Sequence, residues 1–381
     1  MYDRNSFTLI ISLMLIAAFL FTALGIYASS AGNESKGIPT SARSAVLYEP
    51  ETQNFLFLKN ADNKMPMAST TKIMTALVAL ENCETSDLVR VDDSAIGIEG
   101  SSAYIKKGEV LTVEELLYAL LLQSANDAAV ALAFYIGGDV ESFASMMNER
   151  AEEIGASNTH FTNPHGLDDD EHYTTARDLA LITAEALKND TFKKITSTYK
   201  KSFFSEGRSR TYVNHNKLLK RYDGCIGVKT GFTQHSGRCL VSAAERDGLT
   251  FISVTLDAPD DWNDHATLFN MGYDTLEKIT LAKSGEFVYK IPLIEGRKDS
   301  ILVSNIDSAA IILDKGEHNV EKYVKLVRLA VAPIKEGEIL GEIIYTVDGQ
   351  EAARVNLTSA ESVLKKEKSG FFQRFFSIFD K

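Results

Sequence analysis

The stretch Ile73-Met74-Thr75-Ala76-Leu77-Val78-Ala79-Leu80 carries no charge, and the residue directly ahead of it is Lys72. With Pro66 upstream and hydroxyl residues available to cap its start, this stretch reads as a turn followed by a helix. Its apolar residues occupy every side instead of one stripe, so the spacing predicts a central helix packed all round. Burying such a helix needs a large core, which 381 residues with 45% hydrophobic content supply while exceeding one ordinary domain. Lys72 is then a cation at the edge of an apolar interior, and residues three apart share a helix face, so its amine lies one turn from the hydroxyl of Ser69. Desolvation lowers a lysine pKa toward the range where the neutral amine takes a proton from serine. The helix start also offers a backbone N–H at Ser69 suited to an oxyanion. Taken alone, Ser69-Thr70-Thr71-Lys72 is far better read as a capped helix end with a snorkelling lysine.

Two further motifs change that balance. Thr112 and Glu115 are spaced as a capping box at the head of an apolar run, 112–122, and a second apolar run, 128–135, is stopped by Gly137-Gly138. Ser124-Ala125-Asn126 falls in the short connection between the two helices this predicts. From there Ser124 can pass a proton between Lys72 and a leaving amine, and Asn126 can hydrogen-bond a substrate backbone; a polar helix-helix turn is the plain alternative. Lys229-Thr230-Gly231 ends a strand-like run from Cys225, and two more strand patterns, 239–245 and 249–256, flank Asp247-Gly248, a hairpin signal. On such a strand Gly231 admits a ligand to the backbone, while Lys229 and Thr230 offer a cation and a hydroxyl to a carboxylate.

The order Ser69-x-x-Lys72, Ser124-x-Asn126, Lys229-Thr230-Gly231 resembles that of serine enzymes that react with penicillin. Together with Asn163-Pro164-His165-Gly166-Leu167-Asp168 and Phe232-Thr233, it makes the chain similar, over residues 41–363, to the low-molecular-mass penicillin-binding proteins. These form the D-alanyl-D-alanine carboxypeptidase family of serine peptidases. The resemblance implies that Ser69 forms the acyl-enzyme, that Lys72 is the general base, and that Ser124 is the second active-site serine. It further implies that Lys229 binds the terminal carboxylate and that the N–H groups of Ser69 and Phe232 make the oxyanion hole. Asn126, Thr230 and Gly231 complete the expected substrate site. The implied substrate is a peptidoglycan stem peptide ending in D-Ala-D-Ala, with β-lactams as covalent inhibitors and no cofactor or metal. A β-lactamase shares the three motifs, but no E-x-x-L-N element is present to activate a deacylating water. A silent binding scaffold would not need every motif position intact.

The rest of the chain fits around this. A net charge of −12 argues against nucleic acid as partner. Cys83, Cys225 and Cys239 make no C-x-x-C pair; Cys225 and Cys239 fall on strands expected to be neighbours, which permits a disulfide, but buried free thiols are the expectation. His160, His165 and His172 lie near Asp168, Asp169, Asp170 and Glu171 without a metal-binding spacing, and read as a charged loop. Residues 217–221 read as a solvated basic patch.

Strands over 44–48 and 55–59, helices near Ile73, Val113, Ala128, Val140 and Ala176, the strands after Cys225 and a closing helix over 262–276 make one α/β (α+β) domain, 38–280. By the resemblance this is a three-layer sandwich of the β-lactamase/transpeptidase type. Short alternating runs from Leu281 to about residue 360 predict a separate small C-terminal all-β domain. The apolar run 7–28, followed by small residues up to Gly32, reads as an export signal cut near Ala31 or as an uncleaved anchor, with cleavage favoured; residues 33–39 are a polar linker. At the other end, residues 362–381 combine lysines with Phe371, Phe372, Phe375, Phe376 and Phe379 on one side of a predicted amphipathic helix, one suited to the surface of a membrane. The implied location is the outer face of the cytoplasmic membrane.

Overall fold

The computed structural model describes residues 38–205 and 207–367. The chain forms two units: one runs to Arg246 and takes in Thr250–Asn270, the other comprises Asp247–Leu249 and the chain from Met271 onward.

In the first unit the strands are β1 (Ser44–Glu49), β2 (Asn54–Lys59), β3 (Leu88–Arg90), β4 (Val110–Thr112), β5 (Lys200–Ser205), β6 (Arg208–Val213), β7 (Cys225–Thr233), β8 (Gly237–Arg246) and β9 (Leu249–Leu256). Its helices are α1 (Lys72–Asn82), α2 (Val113–Leu122), α3 (Asn126–Gly137), α4 (Val140–Ile154), α5 (Ala176–Leu187), α6 (Asp190–Ser197), α7 (Leu218–Arg221) and α8 (Asp261–Thr275), the last of which starts here. Five strands form the main sheet in the order β2-β1-β9-β8-β7. Strands from both sequence ends therefore meet at β1 and β9, and β7 is left as an edge.

The sheet is covered on both faces, so β9 reads as an almost unbroken buried run instead of an alternating one. Ile252, Val254 and Leu256 pack with the helical core, whereas Thr255 on the opposite face bonds to His265 of α8. These three layers are the expected arrangement. At their centre α1 packs against α2, α3, α4 and α5, and every residue from Lys72 to Ala79 is buried. The turn between β8 and β9 places Asp247 at φ 51° and Gly248 at φ 78°, the paired left-handed geometry of a tight hairpin.

Some local expectations change. Ser/Thr capping of the central helix does not occur: Thr70 and Thr71 turn their hydroxyls back onto the carbonyls of Met67 and Ala68 through a short 3-10 turn, Ala68–Thr71. The Thr112–Glu115 box forms in one direction, with Glu115 N donating to Thr112 Oγ1 at 3.1 Å, while the Glu115 carboxylate instead accepts from Ser205 and faces Arg210. Asn126 is the first residue of α3 and not part of the connection before it. The β3–β4 pair and the β5–β6 hairpin carried no clear alternation and were not anticipated.

The second unit holds β10 (Leu276–Ala282), β11 (Val288–Ile294), β12 (Ser300–Asn305), β13 (Ala309–Asp314), β14 (Val320–Leu326), β15 (Ala330–Val331), β16 (Ile339–Val347) and β17 (Gln350–Ser359). Six of these make a sheet in the order β14-β16-β17-β12-β11-β15, and β10 pairs with β13. A separate core around Ile291, Val303, Ile343 and Leu357 sustains it. The unit's first strand, β10, starts at Leu276, the last residue expected in the closing helix, and runs through residues expected to end the catalytic domain at 280. At its far end Val363 bridges to Ile334 and Lys365 to Gly296, so residues 362–367, expected to open the tail helix, are extended chain. The expected export signal or anchor and the remainder of the expected tail helix lie outside the described residues, and no helix among the described residues is long and apolar enough to cross a membrane.

Candidate active site

Ser69 sits half-buried on the 3-10 turn, and α1 begins at Lys72, so the amine returns beneath the hydroxyl as the three-residue spacing requires. Lys72 Nζ lies 3.0 Å from Ser69 Oγ, 2.6 Å from Asn126 Oδ1 and 2.5 Å from the His165 carbonyl. Burial drives its pKa far down from the ordinary lysine value, the charge of Lys229 adds to this, and Asp127 opposes it. The neutral amine has two hydrogens and one lone pair. Neither Asn126 Oδ1 nor the His165 carbonyl can donate, so they take both hydrogens and leave the lone pair aimed at Ser69.

Ser124 follows α2 in a left-handed conformation, φ 61°, and its Oγ accepts a hydrogen bond from Lys229 Nζ at 3.0 Å. Lys229 is fully buried on β7, also donating to the Thr230 carbonyl, and burial pushes its pKa down to about 7. Asn126 and Asp127 bind the loop 99–105 over this region: Asn126 N donates to the Ser101 carbonyl, and the Asp127 carboxylate accepts from Ser102, Ala103 and Ile105. At Gly231 the β7 edge comes close to the Ser69 turn, since a Cβ there would lie 3.1 Å from Ser69 N, Met67 O and Ala68 Cβ.

Between these elements opens a cleft of about 370 Å³, lined by Ser69, Ser101, Ser124, Thr230, Gly231 and Phe232, with His215, Lys217, Arg238, Asp261 and Trp262 also on its walls. Phe232 is exposed, and Lys217 and Arg238 both lie against the Trp262 ring. A roomier groove of about 460 Å³ lies among Tyr48, Leu181, Lys193 and Ile252, but no serine or cysteine lines it. The smaller cleft is the one with a nucleophile beside a buried amine.

The structure thus gathers Ser69, Lys72, Ser124, Asn126, Lys229, Thr230, Gly231 and Phe232 at one place. Asn126 bonds to Lys72, where a substrate contact had been anticipated, and Lys229 reaches Ser124 from below the cleft surface. Sequence reasoning missed Ser101, Asp127 and the His165 carbonyl; the turn formers Asn163, Pro164 and Gly166 were the available signal for the last. The three histidines diverge: His160 faces the Glu171 carbonyl, His165 contributes its own carbonyl, and His172 faces Thr71. Among the described residues no group of three or more His, Cys, Asp or Glu is placed to hold a metal ion. Cys83, Cys225 and Cys239 are free thiols; Cys239 stands opposite Gly231 and Cys225 opposite Ala244.

The sequence profile described as D-alanyl-D-alanine carboxypeptidase matches residues 31–260, the span that carries Ser69, Lys72, Ser124, Asn126 and Lys229 to Phe232. The chain belongs to the D-alanyl-D-alanine carboxypeptidase family. A second profile, the C-terminal domain of penicillin-binding protein 5, matches residues 276–365, the β unit from its first strand onward. The carboxypeptidase DacF of Bacillus subtilis is 33% identical over 375 residues, covering 95% of each chain. The carboxypeptidase DacC of Escherichia coli is 31% identical, covering 94% of this chain and 92% of its own. Among solved structures, penicillin-binding protein 5 of Haemophilus influenzae aligns with a TM-score of 0.63 and 28% identity over 87% of this chain and 99% of that one. The Streptomyces K15 DD-transpeptidase aligns with a TM-score of 0.60 and 34% identity, covering 62% of this chain and 99% of its own. Membership gives the chain its activity, that of a serine-type D-alanyl-D-alanine carboxypeptidase, and its fold, that of the β-lactamase/transpeptidase type with an added β domain.

Proposed function

We propose that Ser69 is the acylated residue and that the neighbouring groups divide the chemistry as follows. Neutral Lys72 takes the Ser69 proton as Oγ attacks the carbonyl of the penultimate D-alanine. The N–H groups of Ser69 and Phe232 hold the developing oxyanion, a role supported by the close approach of Gly231 to Ser69 N. Ser124 accepts its hydrogen bond from Lys229 and relays the proton taken by Lys72 to the leaving D-alanine nitrogen, so D-alanine departs as the free amine and Lys72 is neutral again. The terminal carboxylate meets the Thr230 hydroxyl at the cleft wall, with the Lys229 charge beneath it. Water then resolves the ester on Ser69.

The observation that carries this reading is the three-point setting of Lys72 Nζ, two permanent acceptors and one serine. The substrate is a peptidoglycan stem peptide ending in D-Ala-D-Ala, and β-lactams acylate the same hydroxyl. The run 7–28 exports the chain, and the aromatic side of the tail beyond Glu367 attaches it to the membrane surface, a reading supported by the sequence alone. Incubating the purified protein with a D-Ala-D-Ala peptide and with penicillin tests the assignment. Rapid D-alanine release with slow penicillin turnover supports it; rapid penicillin turnover without D-alanine release makes the protein a β-lactamase instead.

A further inference from the structure

We propose that Thr71 and His172 are positioning residues for the nucleophile, clamping the Ala68 carbonyl so that Ser69 is presented to Lys72 and its N–H to the β7 edge. This rests on the reading of Ser69 as the acylated residue.

The hydrogen bonds of the clamp run in one direction only. Thr162 N donates to His172 Nδ1 at 3.0 Å, so Nδ1 is the nitrogen without hydrogen and Nε2 carries one. His172 Nε2 lies 2.8 Å from Thr71 Oγ1, which accepts from it and therefore donates its own hydrogen to Ala68 O, 2.8 Å away. Burial lowers the His172 pKa to about 4, so the neutral ring with this tautomer is the form present at neutral pH. Phe161 packs against the ring edge-on at 5.8 Å.

The carbonyl that receives this chain is in an unusual place. Ala68 has φ +47°, a left-handed conformation that an alanine rarely adopts without outside support. On the same carbonyl lies Gly166, itself at φ +86°, where a Cβ would sit only 1.9 Å from Ala68 O. Gly166 belongs to the turn whose neighbouring His165 carbonyl accepts from Lys72. One set of contacts thus fixes both the turn bearing Ser69 and the loop bearing an acceptor for its base. Neither Thr71 nor His172 lines the cleft, and both are buried.

The test uses the whole protein with four substitutions, Thr71→Val, Thr71→Ser, His172→Phe and His172→Gln, and Ser69→Ala as control. It measures single-turnover acylation by benzylpenicillin, kcat and KM for D-alanine release, and Tm. Loss of the clamp in Thr71→Val is expected to lower acylation and kcat by about tenfold or more while KM changes by less than about twofold, because misplacing a nucleophile affects the reacting geometry and not binding. Thr71→Ser keeps the hydroxyl and restores the rate. His172→Phe falls as far as Thr71→Val, the double variant falls no further, and His172→Gln, which can still accept and donate, retains most of the rate. Should His172→Phe fail to fold, Thr71→Val against Thr71→Ser decides alone. Thr71→Val with wild-type acylation, or losses confined to Tm, overturns the clamp. Labelling that survives in Ser69→Ala overturns the underlying reading instead.

Discussion

The side-chain oxygen of Asn126 accepts a hydrogen bond from Lys72 at 2.6 Å, across the gap between the heads of α3 and α1. Because an amide oxygen cannot donate, the contact fixes which way the amine turns as well as where it sits. Asn126→Asp replaces that oxygen with an anion. An opposite charge favours the ammonium, so the Lys72 pKa rises, by about 1 to 3 units for a partner this close. The acid limb of the kcat/KM profile is expected to move to higher pH, and activity at neutral pH to fall. A pH–rate comparison of variant and wild type checks it; an unmoved acid limb removes Lys72 from the role of base.

Ser69→Ala is expected to abolish both D-alanine release and covalent labelling by penicillin while leaving Tm close to wild type, since a half-exposed hydroxyl contributes little to the core. Lys72→Ala keeps the nucleophile but removes the proton acceptor, and should slow acylation by about a hundred- to ten-thousandfold. Mass spectrometry of penicillin-treated protein separates the two: no adduct in the first, a slow adduct in the second.

Lys229 gives the opposite limb. Its pKa is lowered to about 7 by burial, so it carries charge below that pH and loses it above. If that charge attracts the substrate carboxylate, kcat/KM falls as pH rises through about 7, and the limb shifts upward in kcat, because a bound carboxylate stabilises the ammonium. Lys229→Ala should lack this limb and should harm substrates with a free carboxylate more than their amides. Equal losses on both peptides would assign Lys229 to Ser124 alone.

What the sequence made legible was local. Ser69 and Lys72 are three residues apart on one helical turn, and Asp247-Gly248 states its hairpin in two residues, both at positive φ. The contacts that complete the site join residues far apart in the chain: Lys72 to Asn126 across 54 residues, to His165 across 93, and Thr71 to His172 across 101. No periodicity encodes them, and a backbone carbonyl such as that of His165 has no residue type to betray it. The β5–β6 hairpin escaped notice for a related reason, because Arg208 and Arg210 interrupt its alternation and one of them is charged toward the interior.

That inward arginine supports a last expectation. Arg210 donates from Nη2 to both oxygens of Glu109 at 2.6 and 2.7 Å and comes within 3.6 Å of Glu115, and all three side chains are buried or nearly so. Burial pushes the Glu109 carboxyl up, but the bonds from Arg210 and Lys106 N bring it below its ordinary value; burial leaves Glu115 raised. Arg210→Met would strand two buried carboxylates, a change that costs about 3 to 5 kcal/mol where a buried pair is broken. Without the cation both carboxyls shift above their unfolded pKa values, so the folded state binds the extra protons and the deficit shrinks as pH falls. The variant is therefore expected to melt well below wild type at pH 7 and to close most of the gap near pH 5, a comparison that calorimetry at the two pH values makes directly. Adding Glu109→Gln and Glu115→Gln should recover stability at pH 7 and flatten that pH dependence. A deficit that stays constant with pH would mean that Arg210 holds the hairpin through its aliphatic stem and not through its charge.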